Sequence, residues 1–185
     1  KTTLSSQLAA LLAAHNPVLT KEPTADSEWG RRLRKSAQEG RLDKDVEIEY
    51  FHKDRMHHIQ NCINPAINSG RVVICDRYVD STLAFQADNP NSADELFLRF
   101  ESEIRSPDVC FILDCDVDLG LSRINRDRSE ISVFEVKETL ERAASIYRNR
   151  AERGFPYVKI DASGSIDHTF AQVKSILEDR FPHLF

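Results

Sequence analysis

Hydrophobic residues recur along the chain with the spacing of amphipathic helices. Leu4, Leu8 and Leu11 lie three or four positions apart in an alanine-rich stretch, which predicts a helix over about residues 2–14. Similar spacing elsewhere predicts helices over residues 28–38, 43–68, 93–104, 117–126, 134–152 and 166–181. Because proline cannot donate a backbone hydrogen bond, we expect Pro65 to kink the helix of residues 43–68 or to start its last turn.

Continuous apolar runs separate several of these helices. Residues 71–76 form such a run that ends in an acid, which is typical of a strand buried on both faces of a parallel sheet. Residues 109–114 repeat the pattern, residues 157–161 do so more weakly, and residues 17–20 predict a short strand. Strands that alternate with helices predict a three-layer α/β fold. Ligands of such folds bind beyond the carboxyl ends of the strands, where Asp76, Arg77 and Asp114 fall.

Length and composition narrow the class of protein. The chain has 185 residues, which fits one domain over residues 1–185. With 25 basic and 30 acidic residues, the net charge is -5, and 41% of residues are hydrophobic, which excludes a disordered tail and a polycation that coats nucleic acid. No apolar run approaches the roughly 18 residues of a membrane span. We therefore expect a cytoplasmic protein that binds neither nucleic acid nor membranes.

The cysteines agree with an intracellular location. Cys62, Cys75, Cys110 and Cys115 form no C-x-x-C pair. Three of the four fall in or at the end of apolar, strand-like runs, which favours reduced, buried thiols over disulfides or zinc ligands.

The first residues match half of a phosphate-binding loop. Lys1, Thr2 and Thr3 run directly into the first predicted helix, as the end of the pattern G-x-x-x-x-G-K-[ST] does. In that motif the helix N-terminus holds phosphate, the lysine reaches the β- and γ-oxygens, and the hydroxyl ligates magnesium. The sequence begins at Lys1 without an initiator methionine, and its only methionine is Met56. We therefore expect the glycine half of the loop, and a strand before it, to lie outside this sequence. The alternative is that Lys1 is an exposed terminal residue and Thr2 a helix cap.

Two adjacent charged residues lie at the end of the predicted strand of residues 71–76. Asp76 lies at its carboxyl end, where an acid can bind magnesium directly or through water. Arg77 comes next and can pair with a phosphate through its planar guanidinium. The alternative is a surface ion pair between neighbours, which the buried strand before them makes less favourable.

Further charged residues lie in two other stretches. Arg123, Arg126 and Arg128 fall between the start of the predicted helix at Val117 and the start of the next at Phe134. They lie in or next to a polar segment near residues 124–133, of the kind that closes over a site as a lid. Phosphoryl transfer is catalysed mainly by positioning and by positive charge around the moving group, and lid arginines can supply that charge. A solvated, arginine-rich loop is the alternative for each of them. His57 and His58 are adjacent and favour a solvated helix patch over a metal site.

Five segments, in order along the chain, resemble the thymidylate kinase family of P-loop nucleoside monophosphate kinases. They are KEP at residues 21–23, FHKDR at 51–55, DRYVDSTLAFQ at 76–86, PD at 107–108 and IDA at 160–162. The resemblance covers essentially the whole chain. It implies a five-stranded parallel sheet flanked by helices, of which the central first strand would lie outside this sequence, and a homodimer.

The resemblance also implies a reaction and a set of site residues. The reaction is transfer of the γ-phosphoryl group of ATP to the 5′-phosphate of thymidylate (dTMP), with Mg²⁺ as cofactor. The residues expected to bind ATP are Lys1, Thr2, Thr3 and Arg123, and those expected to bind the metal are Thr2 and Asp76. The residues expected to bind the acceptor are Glu22, Phe51, Arg55, Arg77, Thr82, Phe85 and Gln86. The residues expected to act in catalysis are Lys1, Arg77, Arg126 and Arg128.

Physical chemistry supports part of this set and leaves alternatives open. Phe51 and Arg55 are four residues apart, hence on one helix face, where a ring can stack on a pyrimidine and a guanidinium can bond its edge. A core residue is the alternative for Phe51, and a helix-surface ion pair is the alternative for Arg55. Phe85 stands where many family members have tyrosine, and residues 24–26 replace the glycines of a family loop.

Two other functions remain open from the sequence. The first is a deoxynucleoside kinase, which needs a base to deprotonate a 5′-hydroxyl, and Glu22 or Asp76 could serve as that base. The second is a regulatory domain that binds a nucleotide without catalysis.

Overall fold

The computed structural model describes residues 2–127 and 136–185, and of residues 125–127 only the backbone. The helices are α1 (Thr2–Leu11), α2 (Glu28–Glu39), α3 (Lys44–His58), α4 (Asn64–Asn68), α5 (Val79–Gln86), α6 (Pro90–Phe100), α7 (Val117–Asp127), α8 (Lys137–Ala151) and α9 (Ile166–Arg180). The strands are β1 (Val18–Lys21), β2 (Val73–Asp76), β3 (Cys110–Asp114) and β4 (Tyr157–Asp161).

The described strands form two parallel pairs. In the first, β1 pairs with β2 so that Lys21 lies opposite Asp76 at the carboxyl edge. In the second, β3 pairs with β4 so that Asp114 lies opposite Asp161. The parallel direction predicted from the sequence is therefore confirmed. A single five-stranded sheet is not confirmed, because the described residues give two strands to each of two sheets.

Helices pack on both faces of the strands. Leu4 and Leu8 of α1 share one core cluster with Val173 of α9, and Ile74 of β2 and Phe111 of β3 pack against it. The cluster that α1 shares with α9 thereby contacts residues of both strand pairs. A second cluster joins α5, α6 and α8; its buried members are Val79, Leu83, Ala84, Ala87, Ala93, Ala143 and Ile146.

Strand alternation separates the two clusters. Successive side chains of a strand point to opposite faces, and Cys110, next to Phe111, directs its thiol at Asp80 of α5. The helices α1 and α9 therefore cover one face of β3 and β4, and α5 and α8 cover the other.

The predicted boundaries hold within a few residues, with two differences. The helix α5 has no counterpart in the helical pattern, because its short sequence VDSTLAFQ mixes buried polar and apolar residues on several faces. The predicted helix of residues 43–68 is interrupted over Ile59–Ile63 by a wider turn, in which the backbone N–H of Asn64 bonds the carbonyl of Ile59. This turn directly precedes Pro65, so the expected irregularity occurs there.

All four cysteines are free thiols, as predicted, but each is only partly buried. Within residues 2–127 and 136–185, no helix is both long enough and apolar enough to cross a membrane.

Candidate active site

The N-terminus of α1 meets the end of β2. The Thr2 hydroxyl donates a hydrogen bond to Oδ2 of Asp76 over 3.2 Å, although 74 positions separate the two residues in sequence. Thr3 is exposed in the same first turn of α1. The structure therefore brings together the two residues predicted to ligate magnesium. Lys1 lies outside the described residues.

Arg77 adopts a backbone conformation that is rare for a residue with a side chain. Its φ is +73°, in the left-handed region, where strain of about 1–3 kcal/mol is maintained only by the surrounding structure. The Cys75 thiol donates to the Arg77 carbonyl over 3.0 Å. The Arg77 side chain is exposed, and its guanidinium carbon lies 5.5 Å from the centre of the Phe85 ring. Two predicted acceptor residues are thus neighbours.

A buried cluster centred on Arg55 ties the loop after β1 to α3 and α5. Arg55 is 2% exposed; its Nε donates to Glu22 over 3.0 Å and its Nη2 donates to the Thr82 hydroxyl over 2.9 Å. His58 is also buried; its Nδ1 lies 3.0 Å from the other Glu22 oxygen and its Nε2 lies 2.7 Å from the Thr20 hydroxyl. The helix-surface ion pair considered for Arg55 is therefore wrong, and so is the solvated position expected for His58.

Phe51 lies one turn before Arg55 on α3 and is partly exposed. Among the described residues, the two core clusters do not include it. Phe51 is therefore not a member of either core cluster, and its stacking on a base stays a prediction.

Gln86, the last of the predicted acceptor residues, is oriented by residues that the sequence did not indicate. Arg41, in the loop before α3, donates through Nη2 to the Gln86 side-chain oxygen over 2.8 Å. The same guanidinium pairs with the buried Glu47 of α3 over 2.7 Å. The loop between α2 and α3 is thereby connected to the end of α5.

One buried carboxylate organises the loop between β1 and α2. Asp54 accepts hydrogen bonds from the Thr24 backbone N–H over 2.8 Å, from the Thr24 hydroxyl over 2.6 Å and from the Ser27 hydroxyl. Ser27 also caps α2 by accepting from the Gly30 N–H over 2.8 Å. Arg34 of α2 donates to the carbonyls of Pro23 and Thr24. A loop without glycines is therefore held by side-chain hydrogen bonds.

Gly30 is required by the close approach of this loop, and Gly30→Ala is expected to destabilise the protein. A Cβ at this position would overlap the Thr24 carbonyl oxygen and lie 2.5 Å from Oδ1 of Asp54. Relief of such a clash costs about 1–3 kcal/mol, which urea unfolding would measure. Gly120→Ala is the matched control, because the nearest side-chain atom to its Cβ is the Cys115 sulfur at 3.8 Å. Equal stability of the two variants would contradict the proposed packing.

Arg123 of α7 binds the loop that follows β4. Its guanidinium donates to the carbonyls of Ala162, Ser163 and Gly164 over 2.6, 2.7 and 2.9 Å. Arg123, which we expect to bind ATP, thus lies beside the IDA segment of residues 160–162. The side chain of Arg126, residue Arg128 and most of the predicted lid near 124–133 lie outside the described residues.

Two ionisable groups near the buried cluster centred on Arg55 remain neutral at physiological pH. Burial raises the pKa of the Cys75 thiol well above its ordinary value, and the Glu22 carboxylate adds to this effect. Burial likewise raises the pKa of the Tyr78 phenol, whose ring faces the Arg55 guanidinium carbon at 5.1 Å. Neither group is therefore available as a general base near neutral pH.

Comparison with known proteins defines first the fold class and then the family. A thymidylate kinase from Candida albicans superposes with a TM-score of 0.78 at 19% identity, over 99% of this chain and 88% of that one, which shows a P-loop α/β fold. The family model described as "Thymidylate kinase" matches residues 1–173. The chain belongs to the thymidylate kinase family.

Curated relatives agree over most of their length. A thymidylate kinase of Xanthomonas oryzae pv. oryzae is 37% identical over 179 residues, which cover 96% of this chain and 77% of the relative. One from Desulfotalea psychrophila is 34% identical over 164 residues, which cover 85% of this chain and 79% of the relative. The resemblance found in the five sequence segments is thus confirmed.

Proposed function

We propose that the carboxyl edge of β1 and β2 binds ATP and thymidylate and transfers the γ-phosphoryl group to the acceptor phosphate. This is the reaction of the thymidylate kinase family to which the chain belongs. The observation that carries the assignment of this edge is the contact between Thr2, at the start of α1, and Asp76, at the end of β2. A helix N-terminus next to an acidic strand end suits a nucleoside triphosphate and its metal ion.

On the donor side, we assign Lys1, Thr2, Thr3 and Arg123 to ATP. The Thr2 hydroxyl and the Asp76 carboxylate offer oxygen atoms of the kind that Mg²⁺ prefers, so these residues fit that ion. When bound, Mg²⁺ neutralises charge on the phosphate oxygens. Arg123 supports the loop after β4 through its three carbonyl contacts.

On the acceptor side, Arg77 binds the phosphate and Phe51 stacks on the base. The Arg55 guanidinium, fixed by Glu22 and Thr82, faces the base edge, and Gln86 lies one turn after Thr82 on α5. Phe85 lies beside the sugar and packs against the Arg77 guanidinium. Alignment and positive charge, rather than proton transfer, then lower the barrier.

The free nucleoside is a poor acceptor for this site, because its hydroxyl needs a base. Both oxygens of Glu22 are engaged, one by Arg55 and the other by His58. Oδ2 of Asp76 accepts from Thr2. A monophosphate already presents an anionic nucleophile, so it needs no deprotonation.

Four further expectations complete the proposal. Residues 1–185 act as one domain, Arg126 and Arg128 act from a lid near residues 124–133, and two chains form a homodimer. A fifth strand joins β2 to β3; one core cluster that packs against both Ile74 and Phe111, one from each strand pair, supports this arrangement.

Purified full-length protein is expected to phosphorylate thymidylate at least 100-fold faster than thymidine. The kcat/KM for deoxyuridylate should be lower than that for thymidylate by about 10-fold or more, since one methyl group in an apolar pocket is worth about 1–3 kcal/mol. Steady-state assays with ATP, Mg²⁺ and each acceptor would measure both ratios.

A Thr2→Val variant ties the activity to this edge. Valine keeps the shape and removes the hydroxyl beside Asp76, so turnover of every acceptor should fall by an order of magnitude or more. In the acceptor assays of the wild-type protein, turnover of thymidine as fast as that of thymidylate would favour the nucleoside kinase. Failure of the wild-type protein to turn over any acceptor would favour the regulatory domain.

A further inference from the structure

We infer that Arg41, held by Glu47, fixes the side-chain amide of Gln86 so that its NH₂ group is presented to the acceptor base. A donor in this position favours a base that offers a carbonyl oxygen and disfavours one that offers an amino group. Arg41 is thus a specificity-determining positioning residue. The inference rests on the proposed acceptor site and adds to it a residue outside the five family-like segments.

The contacts of Arg41 form a short chain from α3 to α5. The Arg41 guanidinium donates through Nη2 to Glu47 over 2.7 Å and to Oε1 of Gln86 over 2.8 Å. A second contact, from Nε to the other Glu47 oxygen, is 3.4 Å long. Glu47 and Gln86 are 1% and 2% exposed, so the acceptor atoms of these bonds are shielded from bulk water, whereas the Arg41 side chain is 33% exposed.

The chemistry of guanidinium decides which way the amide points. Arginine carries only donors, so the atom of Gln86 that faces Arg41 must be the oxygen. The amide nitrogen then points away from Arg41. Among the described residues, Nε2 of Gln86 is buried and has no hydrogen-bond partner. A buried donor without a partner is rare, which suggests that a ligand supplies the acceptor.

Gln86 is placed to reach the base. It lies one turn after Thr82 on α5, on the same helix face, and Thr82 accepts from the Arg55 guanidinium. A cleft of about 340 Å³ is lined by Arg41, Phe85 and Gln86, with Arg142 among its other residues. Arg55 does not line this cleft, but it contacts Thr82, one turn before Gln86 on α5, so the two donors lie along one face of that helix.

Two donors suit a pyrimidine with carbonyl groups. Thymine and uracil carry oxygen atoms at C2 and C4, whereas cytosine carries an amino group at C4. Against cytosine, one of the two donors would face the amino group, which is itself a donor. Sites built to hydrogen-bond a particular ligand atom strongly reject analogues that lack it. Without Arg41, the Gln86 amide is free to rotate and to offer its oxygen instead.

The test compares thymidylate with deoxycytidylate in Arg41 variants. In Arg41→Met the ratio of kcat/KM for thymidylate to that for deoxycytidylate should fall about 10-fold, and Arg41→Lys should restore part of it. Lys44→Met is the matched control, because Lys44 lines the same cleft and pairs with Asp88 without a bond to Gln86. An Arg41→Met, Glu47→Gln variant removes the uncompensated buried charge if Arg41→Met unfolds.

A Gln86→Leu background tests whether Arg41 acts on specificity through the Gln86 amide. If Arg41 acts through the amide, Arg41→Met should not change the ratio further once Gln86 is replaced. An equal loss for both acceptors in Arg41→Met, or an unchanged ratio, would overturn the inference. The inference would also be overturned if Arg41→Met lowered the thymidylate-to-deoxycytidylate ratio in the Gln86→Leu background as much as it does when Gln86 is present.

Equilibrium binding separates this inference from the proposed function. Titration calorimetry with thymidylate and deoxycytidylate gives the ratio of dissociation constants without catalysis. Wild-type protein that binds thymidylate but does not phosphorylate it would contradict the proposed function, and the inference would still be judged on that ratio. Wild-type protein that binds both nucleotides equally would overturn the inference alone.

Discussion

Replacement of Arg77 by alanine is expected to lower kcat/KM for thymidylate by about two to three orders of magnitude. The guanidinium follows the carboxyl end of β2 and is exposed at the proposed phosphate position. A fixed charge that meets charge developing in the transition state is worth about this much in other enzymes. Steady-state kinetics at saturating ATP would measure the loss.

Backbone strain at Arg77 must be separated from the loss of charge. Because φ is +73°, Arg77→Gly removes the side chain and relieves the strain, whereas Arg77→Ala keeps the strain. Both variants should lose activity equally, and only Arg77→Gly should match or exceed the stability of the wild type. Arg180→Ala, in α9, controls for loss of an exposed arginine. Activity retained in Arg77→Gly would show that Arg77 does not bind the phosphate.

Removal of the Arg150 charge is expected to destabilise the fold by about 3–5 kcal/mol. Arg150 of α8 is 1% exposed and donates to Asp80 of α5 over 2.9 Å and to the Tyr157 hydroxyl of β4. Its guanidinium carbon also lies 4.3 Å from the centre of the Phe97 ring. In Arg150→Met the Asp80 carboxylate stays buried without its partner, and this is the main cost. Urea unfolding would measure it.

Replacement of Asp80, the partner of Arg150, tests whether the unpaired buried charge causes this loss of stability. Arg150→Met combined with Asp80→Asn should be clearly more stable than the sum of the single losses predicts, because no unpaired charge remains. Arg153→Met is the matched control, since Arg153 is 39% exposed and pairs with Asp94 near solvent, where such pairs contribute about 0–1 kcal/mol. A cost in Arg150→Met no larger than in Arg153→Met would refute the role of the buried pair.

The sequence predicted the elements whose pattern is local. Apolar runs gave β2 and β3 within two residues, and the acids that end them lie at the predicted edge. The helix α5 was not predicted, because its buried residues include Asp80, Thr82 and Gln86, whose burial depends on partners distant in sequence. The fifth strand stays a prediction, because the described residues do not include it.

The candidate site was predicted in part. The contact between Thr2 and Asp76 follows from motif order and the rule for strand ends. The residues that were missed are Gly30, Arg34, Arg41, Glu47, Asp54 and His58. They support other residues through tertiary contacts, and of them only Asp54 falls in a family-like segment, FHKDR at residues 51–55. The four-residue spacing of Asp54 and His58 places both on one face of α3.

The Asp54 carboxylate has a consequence for the thermodynamics of acceptor binding. It fixes Thr24 and Ser27 before any nucleotide arrives, and Arg34 fixes the carbonyls of the same loop. A loop that is already ordered loses little conformational entropy when a ligand docks beside it. The chain therefore replaces the adaptability of a glycine-rich loop with rigidity, and the free energy of each contact with the acceptor is expressed more fully as affinity.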